Sequence, residues 1–89
     1  MATLVHQLTT PLRFADTVYT AQAWGEHRDD GLWHGWIEFV PSDSGGPVLS
    51  TGQETSQSNL DALTYWAAGL EPVYLEGALA RALANLRAA

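Results

Sequence analysis

Apolar and polar residues alternate most regularly between Val18 and Val40. Val18-Tyr19-Thr20-Ala21-Gln22-Ala23-Trp24 is rich in β-branched and aromatic side chains and runs on to Asp29-Asp30-Gly31, a turn sequence. Leu32 to Val40 answers it, with Trp33, Ile37 and Phe39 at alternate positions and Gly35 in the remaining place on that face. The two segments predict an antiparallel hairpin. If Asp29-Asp30-Gly31 is a three-residue loop with Gly31 left-handed, Ala23 opposes Ile37 and Ala21 opposes Phe39 on one apolar face. The other face then carries Trp24 opposite Trp36, Glu26 opposite His34 and Gln22 opposite Glu38. A two-residue Asp30-Gly31 turn would instead set Trp24 against Ile37.

The flanking segments are less regular. Residues 1–13 mix apolar and polar positions and read as a short strand or a loose arm. Pro41-Ser42-Asp43-Ser44-Gly45-Gly46-Pro47 is dense in turn residues and predicts a loop feeding a short third strand, Val48-Leu49-Ser50. After a polar stretch, Ser58 and Asp61 have capping-box spacing at the start of a helix whose stripe is Leu60, Leu63, Ala67 and Leu70, with Gly69 as its stop. Pro72 opens a second helix, with Leu75, Leu79, Ala82, Leu83 and Leu86 on one face. Its small residues Gly77, Ala78 and Ala82 permit close approach of the sheet or of a second copy. The expected fold is a single α+β domain over residues 1–89. It comprises the arm or strand at 1–13, a three-stranded antiparallel β-meander at 14–51, and a helical part at 58–87 whose two α-helices pack on one face.

Composition narrows the function more than the fold. The chain has 89 residues, enough for one core, and 46% of them are hydrophobic, so it needs neither metal nor disulfide to pack. It has no cysteine, which removes thiolate chemistry. Ten carboxylates against four arginines and no lysine give a net charge of −6, which repels phosphate backbones and argues against direct nucleic-acid binding. The N-terminal residues have neither the basic start nor the apolar run of a signal or membrane segment, so a cytoplasmic location and no membrane partner are expected.

Three residue groups invite chemistry. Asp43-Ser44-Gly45-Gly46-Pro47-Val48-Leu49 looks like the nucleophile loop of trypsin-like serine proteases. That chemistry needs a base and a buried carboxylate held by far more chain, so a Gly-Pro turn accounts for the same residues. The alternative it leaves is a small serine hydrolase using Ser44. His27-Arg28-Asp29-Asp30 with His34 offers imidazoles and carboxylates for a divalent metal or small ligand at the 27–34 hairpin, although the spacing fits no ligand pattern and the turn alone explains the aspartates. Glu26 and Glu38 would share a face as paired carboxylates, but on a flat sheet that does not exclude water. No cofactor, metal or catalytic residue is expected. The outward Trp24 and Trp36 carry ~150–250 Å² of surface each and call for a cover. Either the N-terminal arm or the second helix supplies it, or another protein does. We take Trp24, Trp36, Glu26, His34 and Glu38 as the candidate protein interface.

The run Tyr19, Asp30-Gly31, Trp33-x-x-Trp36, Thr51-Gly52-x-Glu54-Thr55 and Leu60-Asp61-Ala62-Leu63 resembles the β-β-β-α core of HicB-type antitoxins over about residues 14–70. The chain also resembles a group of uncharacterised small bacterial proteins through Trp24-Gly25-Glu26 and Trp33-x-Gly35-Trp36-x-Glu38-Phe39. The antitoxin resemblance implies a dimerising partner protein that neutralises a basic toxin. The separate DNA-binding segment of many such antitoxins is replaced here by the second helix, which argues against transcriptional regulation. The expectation is therefore a non-enzymatic protein-interaction module, a homodimer, with a basic protein as a further partner.

Overall fold

The computed structural model describes residues 1–43 and 46–88. The chain forms β1 (Thr3–Gln7), β2 (Leu12–Phe14), β3 (Thr17–His27), β4 (Trp33–Pro41), β5 (Leu49–Ser50), β6 (Thr55–Gln57), α1 (Leu60–Ala68) and α2 (Pro72–Ala88). The α+β class and the two helices on one face are as expected. The sheet is larger than a three-stranded meander, with six strands.

Those strands lie only four abreast, because each edge of the long hairpin carries two short pieces end to end. β1 and β2 both pair with β3, joined by a hydrogen bond from Leu8 N to Ala21 O (3.0 Å). β5 and β6 both pair with β4. Between them Thr51 keeps the ladder going. Its N–H donates to Ile37 O (2.9 Å), and its hydroxyl accepts from Ile37 N (3.0 Å) while donating to Gly52 O (2.7 Å). Thr51 is thus buried with its polar groups satisfied. The arm at 1–13 is a pair of edge strands, with a β-bulge between Leu4 and His6.

The hairpin has the register of a three-residue loop. Gly31 sits at φ 85°, Gly31 N donates to Arg28 O (2.9 Å), and Arg28 N donates to Leu32 O (2.8 Å). Ala21 opposes Phe39, Ala23 opposes Ile37 and Gly25 opposes Gly35 on the inner face, and all six are buried. The two glycines leave a hollow that Leu63 of α1 fills. A Cβ at Gly35 would lie 2.7 Å from Leu63 Cδ1, and one at Gly25 would collide with Leu63 Cδ2.

Helix α1 starts one residue later than a Ser58 cap implies. Asn59 is the N-cap, its Oδ1 accepting from Ala62 N (2.8 Å), and Gly69 closes the helix. Leu63 and Ala67 are buried while Leu60 is exposed. In α2, Leu75, Ala78, Leu79 and Ala82 pack into a core with Leu8, Leu12, Tyr19, Ala21, Ile37, Phe39 and Leu49. The close approach made by Ala78 and Ala82 is therefore to the chain's own sheet. Leu86, expected on the same face, is 48% exposed.

Candidate functional site

Strand parity decides the composition of the outer face. Residues paired across β3 and β4 point the same way, so the burial of the odd positions sends Gln22, Trp24 and Glu26 outward with Glu38, Trp36 and His34. All five candidate interface residues, Trp24, Trp36, Glu26, His34 and Glu38, share this face, and all are half-buried. Leu4, 44% exposed, pairs with Trp24, so an apolar row Leu4-Trp24-Trp36 crosses the sheet. Polar rows flank it: Gln7-Gln22-Glu38-Ser50 on one side and Glu26-His34-Ser56 on the other. Trp36 ends the apolar row beside a shallow hollow left where the edge strand breaks at Gly52-Gln53.

Neither suggested intramolecular cover is in place. The N-terminal segment pairs edge-on as β1, and both helices pack on the inner face. Each indole instead runs along the sheet. Trp24 Nε1 donates to Gln22 Oε1 (3.2 Å) and Trp36 Nε1 donates to Glu38 Oε2 (3.1 Å). With both donors satisfied within the chain, covering the rings would strand no N–H.

The charged residues at the turn end are paired with one another. Arg28 donates to Glu26 (2.7 Å), and the Met1 ammonium lies 3.4 Å from the other carboxylate oxygen. The Arg28 hydrogen bond, and after it the ammonium, hold the Glu26 carboxyl below the usual range. His34 Nε2 lies 3.7 Å from Asp30 Oδ2. His27 stacks on Trp33 at 5.3 Å on the opposite side of the hairpin, which separates it from His34. Among the described residues no three His, Asp or Glu side chains come together as a metal site. Glu26 and Glu38 share the face but not a reaction centre, because the tryptophan row lies between them. Ser44 and Gly45 of the protease-like loop lie outside the described residues.

Two features went unforeseen. One is Arg28, whose turn position hides its reach to Glu26. The other is an apolar cleft on the helix side, between α1 and the start of α2, where Tyr65 is 75% and Val73 80% exposed. Both lie off the stripes that pack inward, which is the sequence signal for them. No helix of the described residues is long and apolar enough to cross a membrane. No family model, curated protein or solved structure matches the chain.

Proposed function

We propose that this protein is a non-enzymatic interaction module that pairs with a second copy of itself through the outer face of its sheet. The observation that carries this reading is the Trp24–Trp36 pair, aligned on a face that no described element covers. An apolar row bordered by polar rows is the anatomy of a protein contact.

Size and charge support a second copy. Eleven residues of β3 span ~36 Å and four strands span ~19 Å, so a face-to-face contact covers ~700 Å² per copy, close to the ~800 Å² of a standard interface. The net charge of −6 would repel a twin, yet this face holds little of it. Glu26 and Glu38 are balanced there by Arg13, which pairs with Val18 on the same side, and by Arg28. The remaining carboxylates lie in turns, loops and on the helix side. Two twisted sheets packing through their tryptophans would form a sandwich. The antitoxin-like role, with a basic toxin as partner, rests on the resemblance of residues 14–70 alone.

Light scattering tests the pairing. Wild type is expected at twice the 9.7 kDa of one chain. A Trp24→Ala, Trp36→Ala double variant with unchanged circular dichroism is expected as a monomer. Equal masses for the two would reject this face as the interface.

A further inference from the structure

The cleft on the opposite side of the molecule has its own logic. Helices α1 and α2 diverge from the Gly69-Leu70-Glu71 link and leave a volume of about 1220 Å³ between them. Trp66 and Tyr74 meet edge to face at 6.4 Å, and Tyr65, Leu70 and Val73 complete the apolar lining. The space is open along one side rather than enclosed, so it suits a polypeptide segment lying across it better than a metabolite that must be surrounded.

Charge says which kind of segment. Asp61 and Glu71 line the cleft, and among the described residues no arginine or histidine lines it. Neither carboxylate has an ion-pair partner among the described residues. The Arg81 guanidinium lies 5.6 Å from the Tyr74 ring centre but is matched by Glu54. Of the four arginines a second copy would bring, Arg28 and Arg81 are already matched by Glu26 and Glu54, so a copy of this chain has few cations to offer this rim.

We propose that the cleft docks an amphipathic segment of a different protein. Apolar residues at helical spacing would seat among Tyr65, Trp66 and Val73, and lysines or arginines would meet Asp61 and Glu71. This surface is separate from the tryptophan face, so a protomer paired through its sheet keeps the cleft open.

Three fluorescent helical peptides of about four turns test the proposal by anisotropy: Leu/Lys, Leu/Glu and Ser/Lys, with matched spacing. The Leu/Lys peptide is expected to bind at least about tenfold more tightly than either of the others. Tyr65→Ser with Val73→Ser should remove that advantage, and both residues are exposed enough for the fold to survive. Asp61→Asn with Glu71→Gln, which leaves the apolar lining intact, should erase the preference for Leu/Lys over Leu/Glu. The Trp24→Ala, Trp36→Ala variant should bind as wild type does, so failure of the pairing model would leave this result standing. Equal binding of Leu/Lys and Ser/Lys would mean generic attraction to an acidic protein and would overturn the proposal. So would absence of binding, insensitivity to both sets of cleft substitutions, or loss only in the tryptophan variant.

Discussion

The two faces of the β3–β4 hairpin are built from the same alternating chain and differ most in side-chain size. The inner face sets Ala21, Ala23, Gly25 and Gly35 around Ile37 and Phe39, and α1 lowers Leu63 into the space over the paired glycines. The outer face sets Trp24 and Trp36 at its centre with polar residues around them, and both helices avoid it. Small residues let a helix of the same chain approach a strand pair closely, whereas two indoles hold it off. Residue volume, together with polarity, thus separates the face that packs against the helices from the face that no described element covers.

The inner half of this comparison is the most sensitive to change. Leu63→Ala is expected to cost about 3 kcal/mol by leaving a cavity. Gly25→Ala should cost about 2 kcal/mol because its methyl collides with Leu63. Combined, the two should cost less than their sum by about 1 kcal/mol or more, since each makes room for the other. Urea unfolding of the four proteins measures this. Strict additivity would mean that Leu63 does not occupy the glycine hollow.

Next in size is the polar pin on the helix side. Glu54 accepts hydrogen bonds from Tyr74 Oη and from Arg81, whose Nε lies 3.2 Å from Oε2, and its side chain is only 9% exposed. Burial pulls the Glu54 carboxyl upward, but the hydrogen bonds from Arg81 and Tyr74 outweigh it and hold the group below the ordinary 4.5. The unfolded chain therefore takes up this proton first. The contribution to stability is present above pH 4.5 and is lost as pH falls through the lower folded value. Burial and then Glu54 push the Tyr74 phenol up to about 12 from 10, so its contribution holds below pH 10 and is lost as pH rises toward 12. Glu54→Gln should cost about 2 kcal/mol near neutral pH and flatten the acid limb of a thermal stability profile. Tyr74→Phe should flatten the alkaline limb. Glu26→Gln on the outer face, where the Arg28 partner of the carboxylate is itself half-exposed to solvent, should leave the melting midpoint nearly unmoved.

The smallest effect lies outside both faces. Ala15 sits at φ 54° in the turn between β2 and β3, a conformation that glycine adopts without strain. Ala15→Gly should raise stability by about 0.5 kcal/mol with the mass unchanged. A loss in denaturant titration would mean that the turn is not left-handed at this residue.

The hairpin was legible in the sequence because Asp29-Asp30-Gly31 marks its turn and period-two alternation marks its strands, while the register stayed open between a two- and a three-residue loop. Trp24 opposite Trp36 follows once the loop is three residues long, and the Arg28–Leu32 pairing, not Gly31 alone, decides that against the two-residue Asp30-Gly31 turn. Each edge of the sheet hid for a different reason. In β1 the bulge between Leu4 and His6 breaks the alternation that would announce a strand. In β6, Thr55-Ser56-Gln57 has no apolar alternation at all and is a strand because β4 offers it a ladder. The helix start moved from Ser58 to Asn59 because either side chain can cap, and only the geometry at Ala62 N distinguishes them. The five outer-face residues were legible by parity. The cleft was not, because it depends on the angle at which two helices leave a shared corner.

The indole N–H resonances give the most direct test of the tryptophan face as the contact. In a dilution series followed by nuclear magnetic resonance, the signals of Trp24 and Trp36 should shift with concentration as the pair dissociates. Those of Trp33 and Trp66, which lie on the other side of the sheet, should stay in place. Four signals that hold still while the measured mass changes, or movement confined to Trp33 and Trp66, would contradict the account.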